Sequence, residues 1–161
     1  MQGKATFLGQ AVHLMLVAFP LGLLGASVAF DWLGLGLTNA QLSLVAFYLI
    51  SGGLISGVIA TTFGLIDWMA VPQGTRARRL GAVHAAGNLL VLLLFAASWT
   101  LREPSPASPP SLALALSWGG AMSSLITAWL GGHLLDLLGM DKRERAPSDA
   151  TTTSSLSNRT A

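Results

Sequence analysis

Four apolar runs, Ala5 to Phe30, Ala40 to Ile66, Leu80 to Leu101 and Leu112 to Leu135, contain no Lys, Arg, Asp or Glu, and short stretches rich in turn-forming and charged residues separate them. Each run exceeds the roughly 20 residues that a helix needs to cross the hydrocarbon of a bilayer. A chain that enters hydrocarbon must satisfy its own backbone polar groups, and a helix does so within one segment. The pattern therefore predicts an all-α membrane protein, a bundle of four transmembrane helices running up, down, up and down.

The first helix is expected from about Phe7 to Phe30, with a kink at Pro20. Thr38 or Asn39 is placed to cap the second, which should continue to about Trp68. The segment VPQGTRARR reads as a loop, with the third helix starting near Leu80. REPSPASPP, stiffened by four prolines, cannot be helical, and the fourth helix should run from Ser111 to Met140. Residues 1–140 form the predicted transmembrane domain, and 141–161, a charged and then Ser/Thr-rich stretch, read as a disordered cytoplasmic tail. Ser27-Val28-Ala29 resembles a cleavage site, but the first apolar run is too long for a signal peptide and carries only Lys4 before it, so an uncleaved helix is expected.

Composition agrees with a lipid environment: 52% of the residues are hydrophobic and 10% charged. Soluble proteins average about 25% charged. Lys4, Arg76, Arg78, Arg79, Lys142, Arg143, Arg145 and Arg159 fall on one face of the predicted bundle and only Arg102 on the other. Positive charge collects on the cytoplasmic side, so both termini are expected in the cytoplasm. The basic residues are read as topology signals, not as a nucleic-acid surface. Trp32, Trp99 and Trp118 would lie near the outer interface and Trp68 near the inner one.

The chain has no cysteine, which excludes disulfides, iron-sulfur ligation and covalent haem attachment through CxxCH. It shows no nucleophile elbow, HExxH or phosphate-cradling loop, so hydrolytic or nucleophilic catalysis is not expected and whether it is an enzyme stays open.

Its candidate chemistry is one polar layer near the cytoplasmic ends of the helices: His13, His84 and His133 with Asp67 and Asp136, and Asn88 one turn beyond His84. Both aspartates stand near helix carboxyl ends, where the macrodipole disfavours them, so Asp67 should find His84 or the nearby arginines. The triplet Ala11-Val12-His13 recurs as Ala82-Val83-His84, and Gly64-Leu65-Ile66-Asp67 aligns with His133-Leu134-Leu135-Asp136. A repeat of this kind would make two hairpins related by an axis along the membrane normal, with His13 and His84 opposed on a diagonal.

Two opposed imidazoles suit the axial positions of a b-type haem, with Asn88 nearby and Arg76, Arg78 and Arg79 available for propionates. A metal ion held by His13, His84, His133, Asp67 and Asp136, or a proton path, would use the same layer. Gly53, Gly57, Ala60 and Gly64 form a stripe on the second helix that either walls a cofactor cavity or packs a neighbouring helix. Three classes of function stay open: a haem-binding electron-transfer subunit, a small proton or metal transporter, and a non-catalytic membrane scaffold. The oligomeric state is not readable.

One ordered set of motifs is more specific. His13, FPLG at Phe19 to Gly22, Asp31, GLIDW at Gly64 to Trp68, His84 with Asn88, and GGHL at Gly131 to Leu134 resemble family 2231 of the domains of unknown function. The resemblance covers about Gln10 to Gly139. It implies a bacterial four-helix membrane protein, and since some members are joined to a Rieske-type domain, it implies redox work. This chain has no Rieske ligand pairs, so such a partner would be a separate protein. Leu14 stands where the family's first-helix histidine is commonly followed by proline.

Overall fold

The computed structural model describes residues 6–7, 10–11 and 15–144. Helices α1 (Ala18–Gly36), α2 (Ala40–Met69), α3 (Arg76–Arg102) and α4 (Ser111–Glu144) form the antiparallel bundle, and all four are long and apolar enough to span a membrane. A two-residue antiparallel pairing of β1 (Thr6–Phe7) with β2 (Gln10–Ala11) precedes them.

The first helix differs from expectation at both ends. The segment α1 opens at Ala18 with Pro20 in its first turn, while Met15 and Leu16 are helical just before it and Val17 forms a turn between them. A first-turn amide has no intrahelical acceptor, so the missing N–H of proline costs nothing there. Its far end runs past Phe30 to Gly36, which places Asp31 inside the helix. Thr38 then adopts φ 49°, reversing the chain, and Asn39 caps α2 by accepting from the Gln41 amide at 3.0 Å.

The third helix also begins earlier than expected. Thr75 caps it by accepting from the Arg78 amide at 3.2 Å, so Arg76, Arg78 and Arg79 belong to its first turn and not to a loop. Three cations at a helix N-terminus oppose the macrodipole. Arg78 resolves this by turning back onto α2, where Nη1 donates to the Val71 carbonyl at 2.6 Å and the guanidinium lies 4.3 Å from the Trp68 ring centroid. At the other end, α4 extends four residues beyond the expected Met140. The expected tail beyond Glu144 lies outside the described residues.

Packing is densest within each hairpin, α1 on α2 and α3 on α4. The seams between hairpins, α2 with α3 and α1 with α4, are thinner. Leu24, Ile50, Val91 and Phe95 form the buried centre. The small residues of α2 serve packing: a Cβ on Gly53 would stand 2.5 Å from Leu24 Cδ2, and one on Gly57 2.6 Å from Leu92 Cδ2. Aromatics close one end of the bundle. Trp32 meets Trp118 edge to face at 5.2 Å, and Trp99 stacks on Phe47 while its Nε1 donates to Ser51 Oγ at 2.8 Å.

Candidate functional site

Glycine at position 131 determines what His84 can reach. A side chain on α3 can approach the backbone of α4 only where α4 lacks a Cβ, and at Gly131 the His84 ring fills that space, its Cε1 lying 2.9 Å from where a Cβ would be. From there Nδ1 reaches the Thr127 carbonyl at 2.9 Å, while Asn88 Nδ2 lies 2.9 Å from Nε2. A carbonyl only accepts and an amide nitrogen only donates. With these partners Nδ1 donates to the Thr127 carbonyl and Nε2 accepts from the Asn88 amide. Gly87 supports the arrangement from α3, because a Cβ there would run into the Thr127 methyl group.

Asp67 belongs to a neighbouring cluster on the α2–α3 seam. Trp68 lies over Gly81, where a Cβ would be 2.8 Å from its Cδ1, and its Nε1 donates to the Arg78 carbonyl at 3.0 Å. Asp67 Oδ1 is buried and has no hydrogen-bond partner. The expected contact of Asp67 with His84 or the arginines is therefore absent among the described residues. Arg78 is engaged by Val71 and Trp68 instead, which anchors the carboxyl end of α2 with the cation that end prefers.

The other layer residues are spread apart. His133 is exposed and stacks on Trp129, their ring centroids 6.1 Å apart. It lies two residues from Gly131, about 200° around the helix and away from His84. Asp136, Arg76 and Arg79 are exposed. Among the described residues no three of His, Asp and Glu converge as a metal site. His13 lies outside the described residues.

The most buried charges are at the opposite end. Arg102, read from the sequence as a topology signal, is 0% exposed and Asp31 2%. The guanidinium bonds the carboxylate through Nη1 to Oδ1 and Nη2 to Oδ2, both at 2.7 Å. Nη2 also donates to Ser117 Oγ and Nε to Ser98 Oγ, both at 3.1 Å. Ser98 and Ser117 in turn donate to the Ala113 carbonyl. A guanidinium presents its donors as a rigid fork that matches a carboxylate, so this pair ties three helices in one geometry. Two sequence signals pointed to it: an aspartate next to an otherwise apolar run, and a spacing to Arg102 of 71 residues, the same as between His13 and His84.

No curated protein and no solved structure matches this chain. The sequence profile of the family described as "Predicted membrane protein (DUF2231)" matches residues 9–141, the span that holds all four helices but for the last turn of α4, the His84 site and the Asp31–Arg102 pair. With most of its length matched, the chain belongs to that family of membrane proteins.

Proposed function

We propose that the protein is an integral membrane electron-transfer subunit in which His84 would hold a b-type haem. The observation that carries this reading is the hydrogen bond from His84 Nδ1 to the Thr127 carbonyl. Histidines that ligate metals characteristically donate their other ring N–H to a carbonyl or carboxylate, which fixes the ring and makes the ligating nitrogen more basic. That bond leaves the Nε2 lone pair as the ligating electrons, and Asn88 Nδ2 rests on it. The donor chemistry fits haem iron, provided that the Asn88 amide gives up Nε2.

His13 is the proposed second ligand, and the exposed Arg76 and Arg79 are the candidates to meet propionates. When bound, the haem supplies one-electron oxidation and reduction. The chain's own residues orient the imidazole through Thr127 and Gly131. The eight-to-one distribution of Lys and Arg supports cytoplasmic termini, and the redox partner is proposed to be a separate protein.

The test is haem loading of variants made in haem-replete cells. His84→Ala should lose the Soret band while retaining helical circular dichroism. Asn88→Leu, which removes the competing donor, should keep or raise loading. Equal spectra for the wild type and a folded His84→Ala variant would overturn the proposal.

A further inference from the structure

The two hairpins bury many corresponding positions. On α1 the buried residues include Pro20, Leu24, Ser27 and Asp31, and on α3 they include Val91, Phe95, Ser98 and Arg102, each 71 residues after its counterpart. The second helices of the hairpins agree in the same way at a spacing of 70: Ser43 with Ala113, Ile50 with Gly120 and Gly57 with Thr127 are all buried. Each hairpin therefore presents one inward face built on one plan. The matches run in the same chain direction, which describes a two-fold axis along the bundle and not across it.

Under such an axis, a residue that touches its own counterpart must lie at the axis. Asp31 and Arg102 are counterparts, and they bond each other with both carboxylate oxygens. Their one-turn neighbours Ser27 and Ser98 are counterparts too, and both are 0% exposed.

We propose that the Asp31–Arg102 pair is a pairing code at a pseudo-two-fold axis, which lets the inward face of the first hairpin dock only on the second. Two faces of one plan are otherwise free to pair with themselves, joining first hairpins from two copies of the chain. Docking first on first would bring two aspartates together at the axis, and second on second two arginines, in both cases buried without a counter-ion. Like charges at that point exclude both wrong assemblies, and opposite charges select the right one. The pair thus acts on which partner is accepted, and this reading stands apart from any haem chemistry.

The test uses full-length protein in detergent, with unfolding midpoint and size distribution as readouts. Asp31→Arg and Arg102→Asp alone should each lower the midpoint and broaden the size distribution. The exchanged pair, Asp31→Arg with Arg102→Asp, should regain part of the loss and run as the wild type, because Ser27 stands beside position 31 as Ser98 stands beside Arg102, while Phe47 takes the place that Ser117 has beside Arg102. An exchanged pair no better than the worse single variant would overturn the proposal. Asp31→Leu with Arg102→Leu removes the charges without leaving either unpaired. It should form additional assemblies of twice the wild-type mass, since nothing then distinguishes the two faces. If this double variant folds and shows only the wild-type species, the pair is not a pairing code.

Discussion

Gly131→Ala adds one methyl group at the point where α4 gives way to His84. That methyl would stand 2.9 Å from Cε1 and 3.3 Å from Nδ1 of a ring held on both sides by 2.9 Å hydrogen bonds. The ring must retreat, and losing the bonds to Thr127 and Asn88 costs about 1 kcal/mol each. Replacing glycine by alanine inside a helix returns roughly 0.5–1 kcal/mol, so a net loss of about 1–1.5 kcal/mol is expected.

The adjacent Gly132 provides the control, because a Cβ there meets nothing within 4 Å. Gly132→Ala should therefore gain the roughly 0.5–1 kcal/mol of helix propensity. Thermal unfolding in one detergent measures both, and the two variants should move in opposite directions. His84→Ala combined with Gly131→Ala should be less damaging than the two single effects added together, since the methyl group then has nothing to strike. Equal midpoints for Gly131→Ala and Gly132→Ala would refute the proposed seat for the ring.

Three further outcomes follow from the same contacts. Arg102→Ala strands the buried Asp31 carboxylate and should cost about 3–5 kcal/mol, and Arg102→Lys should recover little of it because a single ammonium cannot reproduce the forked contact, both read from unfolding midpoints. Gly120→Ala drives a methyl to 2.7 Å from Phe95 Cε2 and should destabilise, whereas Gly119→Ala, with open space, should not; the same melts decide it. Thr38→Gly relieves a β-branched residue at φ 49° and should raise the midpoint, by roughly 1 kcal/mol in stability.

The four helices and their antiparallel order were readable because a span in lipid needs a long uncharged run, and each helix supplies one. Ends were less readable. Pro20 marks a first turn as readily as a kink, and the helix is interrupted at Val17, three residues before it. The arginines of α3 looked like loop residues because a helix N-terminus disfavours cations, and the compensating contact of Arg78 with Val71 and Trp68 is made across a turn between helices.

Within the candidate site, His84 and Asn88 were legible from their spacing of four residues. Thr127 and Gly131 were not, because a backbone carbonyl and an absent side chain leave no polar signature in a sequence. GGHL was read for its histidine, yet it is Gly131 that meets His84, while His133 points outward to Trp129. Arg102 was read only as a topology signal because its partner lies 71 residues away, on the diagonal helix.

The central claim, that His84 is positioned to ligate haem, is tested most directly on the wild-type protein. Purified in mild detergent from haem-replete cells, it should contain b-type haem in a fixed ratio to protein by pyridine haemochrome assay, with a Soret band that shifts on reduction. A preparation that is helical and monodisperse but free of haem would contradict the claim and leave the His84 site as a packing device of a membrane scaffold or transporter.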